Sequence, residues 1–144
     1  MKVKDAMSTK VFLATPDQTI EEAAKTMADI DAGSIPVTDN DKLIGMLTDR
    51  DIAIRAVAKG LGPETPVRDV MSKDIKYCYE DEDLDDVAQN MSDIQLRRLP
   101  VMNRDKRLVG ILSLGDMAKR EEDLAGHAMA GIARPNGAHA GRHQ

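Results

Sequence analysis

Two short stretches carry residues whose types and spacing could do chemistry. They are Gly45-Met46-Leu47-Thr48-Asp49-Arg50-Asp51-Ile52 and Gly110-Ile111-Leu112-Ser113-Leu114-Gly115-Asp116-Met117. In each, a hydroxyl residue stands three positions before an aspartate, where an apolar run ends. A hydroxyl and main-chain amides at a helix start can hold a phosphate. A carboxylate beside them can accept the two hydrogen bonds of a sugar diol. The same spacing is that of a capping box, in which hydroxyl and carboxylate satisfy each other's backbone amides. Both roles are compatible, because a cap that faces a cleft is still an anion site.

The elements that must position these residues follow from periodicity. Val3 to Met7 fits a short helical turn, and Val11-Phe12-Leu13 a brief strand. Thr19 with Glu22 forms a capping box that opens a helix. Ile20, Ala23, Ala24, Met27 and Ile30 lie on one face of it, and Gly33 fits just past its end. Ile35-Pro36-Val37 and Leu43 to Leu47 flank Asp39-Asn40-Asp41 and read as a hairpin, with Pro36 at a strand start or edge. A second helix runs from Asp49 to Lys59, ended by Gly60. It is apolar on more than one face, which predicts burial on both sides and a homodimer. Residues 61–66 are a connector.

Then the pattern restarts. Val67 to Ser72 matches Val3 to Ser8 at an offset of 64 residues, Met7 to Met71. Leu84, Met91, Ile94, Pro100 and Val101 repeat Ile20, Met27, Ile30, Pro36 and Val37. One residue is inserted in the second hairpin, after which Leu108, Gly110 and Asp116 repeat Leu43, Gly45 and Asp51. An insertion confined to a hairpin tip is where a duplication tolerates one. The repeats span 2–62 and 63–122. Residues 123–144, rich in glycine and alanine, read as a disordered tail.

Composition narrows the function classes. The chain has 144 residues, 42% hydrophobic and 31% charged, with a formal net charge of −5. The negative balance argues against a general nucleic-acid binder. Phe12, Tyr77 and Tyr79 are the only aromatics, too few for a base-stacking platform. No apolar run reaches the roughly 20 residues of a membrane helix, and no signal segment opens the chain. Cys78 is the only cysteine, which excludes an internal disulfide and a zinc–thiolate cluster. A cytoplasmic protein is the simplest reading. His127, His139 and His143 lack metal-ligand spacing. Most of the basic residues Arg97, Arg98, Arg104, Lys106 and Arg107 read as solvated hairpin charges. The acidic run from Glu80 to Asp86 reads as favourable charge at a helix start. No phosphate loop, nucleophile elbow or catalytic carboxylate pair is present, so the chain is not expected to be an enzyme.

Ser34-Ile35-Pro36-Val37 with Gly45 to Asp51, and Arg97-Arg98-Leu99-Pro100-Val101 with Gly110 to Asp116, resemble a pair of CBS domains (a Bateman module). The resemblance covers about Lys2 to Arg120 and extends to stand-alone CBS-pair proteins. It implies an α/β (α+β) chain of tandem repeats, each strand–helix–strand–strand–helix, packed about a pseudo-two-fold axis. It also implies inter-repeat clefts for an adenosine nucleotide of the AMP, ADP or ATP kind, dimerisation through helices and a regulatory rather than catalytic role. On that mapping Ser113, Asp116 and Arg98 share a cleft with Thr9, Lys10, Ala32, Gly33 and Ser34. Thr48, Arg50 and Asp51 share theirs with Lys73, Asp74, Leu96 and Arg97. The first cleft has small residues and Arg98, and the second has bulky residues and Asp74, so the first is expected to bind tighter. The alternative is a structural dimerisation module with no bound ligand.

Overall fold

The computed structural model describes residues 1–94, 96–113 and 115–116. The second helix of the second repeat, the tail and its three histidines lie outside these residues. The described residues form two compact units, one of residues 12–75 and one that combines Met1–Val11 with the described residues from Lys76 to Asp116.

In the 12–75 unit, Thr19 caps α1 (Ile20–Ile30): its Oγ1 accepts from Glu22 N–H at 3.1 Å, and Glu22 Oε1 accepts from Thr19 N–H at 3.1 Å. Ile20, Ala23 and Met27 are buried on the expected face. The left-handed residue that ends the helix is Asp31, at φ 54°, not Gly33. A short polar side chain tolerates that conformation, so no glycine is required. Strands β1 (Ser34–Asp39) and β2 (Lys42–Thr48) form the expected antiparallel hairpin. Asn40 and Asp41, at φ 52° and 67°, supply the two left-handed residues of a tight turn whose twist matches the strands. After Thr48 the chain turns into α2 (Asp49–Asp51). It continues as a π turn over Ile52–Ala56 and a 3-10 turn over Val57–Lys59, and stops at Gly60, φ 77°.

The expected strand at Val11-Phe12-Leu13 does not form; only Ala14 bridges β1, through Val37. Ala14 N–H donates to Pro36 O, and Thr38 N–H donates to Ala14 O. One step back, the parallel ladder would need an N–H from Pro36, which proline lacks.

The unit is closed by a 3-10 turn at Val67–Asp69. Val67 N–H donates to Gln18 O at 2.8 Å, and Ser72 and Met46 exchange main-chain bonds of 2.8 and 2.9 Å. Val67, Val70 and Met71 thereby join Ile20, Met27, Ile35, Val37, Leu47 and Ala56 in one buried cluster. Gly45 makes the closure possible. A Cβ there would lie 2.8 Å from Met71 Sδ and 2.9 Å from Ser72 O.

The other unit repeats this plan. Strand β3 (Cys78–Tyr79) runs parallel to β4 (Arg98–Met102), which pairs antiparallel with β5 (Leu108–Ser113). Helix α3 (Leu84–Ile94) matches α1 residue for residue, and the β4–β5 bulge at Val101/Met102 matches that at Val37/Thr38. Here the closing segment is the start of the chain. Val3–Asp5 form a 3-10 turn, and Ser8 and Ile111 exchange bonds of 2.9 Å in each direction. Val3 and Ala6 enter the cluster of Cys78, Leu84, Val87, Met91, Leu99, Val101 and Leu112. Gly110 is the counterpart of Gly45: its Cβ would lie 2.6 Å from Met7 Sδ. The units of packing are therefore not the units of duplication. Each repeat's leading segment closes the unit built from the other repeat's helix and hairpin.

Candidate functional site

Both hydroxyl–aspartate junctions fold as capping boxes. Thr48, extended at the end of β2, accepts from Asp51 N–H at 2.9 Å through its Oγ1, and Asp51 Oδ2 accepts from Thr48 N–H at 3.0 Å. Ser113 Oγ accepts from Asp116 N–H at 3.1 Å, and Asp116 Oδ2 accepts from Ser113 N–H at 3.1 Å. The capping reading is thus realised at both sites, and each box engages the Oδ2 of its aspartate. Asp51 Oδ1 lies 3.8 Å from Arg55 Nε. Arg55 in turn donates to Met71 O at 3.1 Å and ties the helix to the closing segment.

The strand registers decide what faces each box. Ser34 stands opposite Thr48, and Arg98 stands opposite Ser113. Directly opposed residues share a sheet face with Cβ atoms about 5 Å apart. Arg98 is therefore brought to the Ser113–Asp116 junction within one unit. Gly33 O accepts from Asp49 N–H at 2.9 Å, which fixes Ala32-Gly33-Ser34 beside the Thr48 junction. Ala32 and Gly33 are buried, Ser34 is half-buried, and Arg50 and Arg98 are exposed. Thr9 and Lys10, also exposed, follow the Ser8 bridge, as Lys73 and Asp74 follow the Ser72 bridge. Because these bridges are antiparallel, the chain leaves them away from the hydroxyl end of the strand. Thr9, Lys10, Leu96, Arg97, Arg98, Ser113 and Asp116 belong to one unit. Ala32, Gly33, Ser34, Thr48, Arg50, Asp51, Lys73 and Asp74 belong to the other.

One cluster was misread from sequence. Arg104 is not merely solvated: its Nε and Nη2 donate to the two oxygens of Asp81 at 2.9 and 2.8 Å. Its guanidinium lies 4.0 Å over the Tyr79 ring, which meets Tyr77 edge to face at 5.6 Å. The Arg104 guanidinium holds the Asp81 carboxyl below its usual range. Glu82 accepts from Tyr79 N–H at 3.0 Å, so this part of the acidic run organises a loop rather than a helix start. Basic residues on one hairpin and an acidic run before the preceding helix were the available signal, but only the fold pairs them. Cys78 is buried in β3, and burial, with Glu82 nearby, pushes its thiol up to about 12. Among the described residues no three metal-ligand side chains cluster, and no helix is long and apolar enough to cross a membrane.

Two capped strand–helix junctions on duplicated units define a tandem-repeat architecture, and comparison with known proteins agrees. The CBS domain family profile matches residues 3–57 and 67–123. The chain belongs to the CBS domain family. It is 43% identical over 136 residues to the CBS domain-containing protein YhcV of Bacillus subtilis, covering 93% of this chain and 96% of that protein. Among solved structures it is similar to Hypoxic Response Protein I with two coordinated zinc ions. That match has 34% identity and a TM-score of 0.73, over 83% of this chain and 98% of that one. It is also similar to the CBS domain pair of protein MJ0100 in complex with 5-methylthioadenosine and S-adenosyl-L-methionine. There the identity is 31% and the TM-score 0.68, over 83% and 94% of the two chains.

Proposed function

We propose that the chain is a non-catalytic regulatory module of the cytoplasm. In this reading it binds an adenosine nucleotide, works as a homodimer and signals by contact with another protein. The observation that carries the reading is the register of Arg98 with Ser113 at the Asp116 junction. A planar cation suits a phosphate, the hydroxyl and helix amides complete its shell, and Asp116 can accept from a ribose diol. In this reading Thr9 and Lys10, of the same unit, extend that site, and Ala32, Gly33 and Ser34 stand at the Thr48 junction. Thr48, Arg50 and Asp51 form the weaker one. That the MJ0100 pair is solved with adenosine compounds supports an adenosine ligand.

The self-satisfied boxes favour a second reading, a dimerisation module without ligand. Calorimetric titration with AMP, ATP and S-adenosylmethionine separates the two. Saturable heat with one of them, lost in Asp116→Ala, supports the nucleotide reading; no heat with any supports the structural one. Incubation followed by chromatography should recover the nucleotide unchanged, and turnover would overturn the non-catalytic assignment.

A further inference from the structure

The two closing segments do the same structural job but are tethered differently. Val67 to Ser72 follows its own unit through the connector 60–66. The segment at the start of the chain is followed by the whole 12–75 unit before its own unit resumes at Lys76. Its hold on that unit is therefore non-covalent along its length. Val3 N–H donates to Glu82 O, Lys4 N–H to Glu80 O and Leu84 N–H to Met1 O, while Ser8 and Ile111 exchange bonds. Val3 is fully buried, and Met7 lies over Gly110. The dock is the loop of residues 80–83, where Lys2 Nζ donates to Asp81 O and Arg104 grips the Asp81 carboxylate. Residues 10–13, which lead away, form neither helix nor strand. A segment held by few bonds next to irregular backbone opens at lower free energy than the unit it closes.

We propose that residues 1–8 are a strap that opens and closes on their unit while the 12–75 unit stays folded, and that nucleotide latches it shut. Opening removes Val3 and Ala6 from the buried cluster and leaves the β5 edge at Ile111 bare. The latch rests on the nucleotide reading above, in which Thr9 and Lys10, directly after the strap, touch the ligand. A ligand that binds only the closed state shifts the population toward it.

Cys78 is a built-in reporter. It shares the strap's cluster, is 2% exposed, and is the only thiol in the chain. Thiol labelling of the full chain in native buffer reads the opening. Val3→Ala and Gly110→Ala should each speed labelling at least tenfold. In Val3→Ala the amide exchange of Thr38 and Met46, in the other unit, should not change. Gly45→Ala, the matched substitution in that unit, should speed Met46 exchange and spare Cys78. Saturating AMP should slow wild-type labelling at least tenfold. Unchanged labelling in Val3→Ala, or Cys78 labelling and Met46 exchange rising together, would overturn the strap. AMP that binds by calorimetry yet leaves labelling unchanged overturns the latch. Absence of heat with AMP, ATP and S-adenosylmethionine alike instead sinks the nucleotide reading and the latch with it, and the strap then stands or falls on Val3→Ala.

Discussion

Arg98 stands across the β4–β5 ladder from Ser113, where the other repeat places Ser34 across from Thr48. Two junctions with the same capping geometry thus differ by a full positive charge on the strand beside them. Arg50, the arginine of the other junction, lies on the first helical turn, and its counterpart by position is Gly115.

That difference predicts unequal clefts. In calorimetry, Asp116→Ala should abolish the tighter phase, a loss of about 2–4 kcal/mol for charged hydrogen bonds to ligand. Its fold should lose only about 1 kcal/mol, the cost of a cap. Asp51→Ala should spare the tight phase, and Arg98→Ala should weaken phosphorylated ligands more than adenosine. A tight phase that survives Asp116→Ala and vanishes in Asp51→Ala would reverse the assignment.

The helical segment after Thr48 predicts a dimer. Ala56 is fully buried, but Ile54 and Val57 are 50% and 68% exposed, and Leu61 is exposed beside them. Val57, Leu61 and Pro63 border an open groove of about 290 Å³ against Ile20 and Ala24 of α1. Light scattering should give a dimer at micromolar concentration. Ile54→Glu and Val57→Glu should give folded monomers whose melting temperature is lower than that of wild type and no longer rises with protein concentration, because association stabilises the folded state by mass action.

Asp81 predicts a defined pH response. Its carboxyl is held below the ordinary value of 3.8 by Arg104. The folded state therefore binds this proton less readily than the unfolded chain. The stabilisation is fully present above about 3.8 and is lost as pH falls through the lower folded value. Melting curves between pH 2 and 5 should show this loss in wild type and not in Arg104→Gln. Because the pair is exposed, high salt should shrink the difference between the two.

Gly45→Ala should destabilise by about 1–3 kcal/mol. The new Cβ would meet the main-chain oxygen of Ser72 at 2.9 Å, which no side-chain rotation relieves. Chemical denaturation of this variant beside wild type measures the cost.

Much of the fold was legible because it is written locally. Thr19 and Glu22 mark one helix start, Asn40 and Asp41 one tight turn, and apolar spacing the buried face of α1. The duplication made the two junctions visible, and the comparisons place both in one family. What stayed illegible is non-local. The sequence shows that Val67 to Ser72 repeats Val3 to Ser8 but not against which helix and hairpin each packs, so the exchange of closing segments is not legible in it. Gly45 and Gly110 were seen to recur, yet the methionine that each accommodates lies far away in sequence. The failed strand at Val11-Phe12-Leu13 depended on a proline in another element.

Interleaving the repeats also orders events during synthesis. Residues 1–11 leave the ribosome well before the rest of their unit: the strand edge that receives Ser8 emerges roughly 100 residues later, about 5–20 s at ordinary elongation rates. For the later part of that interval, once Ile75 has emerged, the 12–75 unit has every segment it needs, including its own closing turn at Val67–Asp69. Residues 1–8, made before the 12–75 unit, thus find their place after it. A nascent chain therefore passes through a stage with one finished unit and the strap of the other still waiting for its dock.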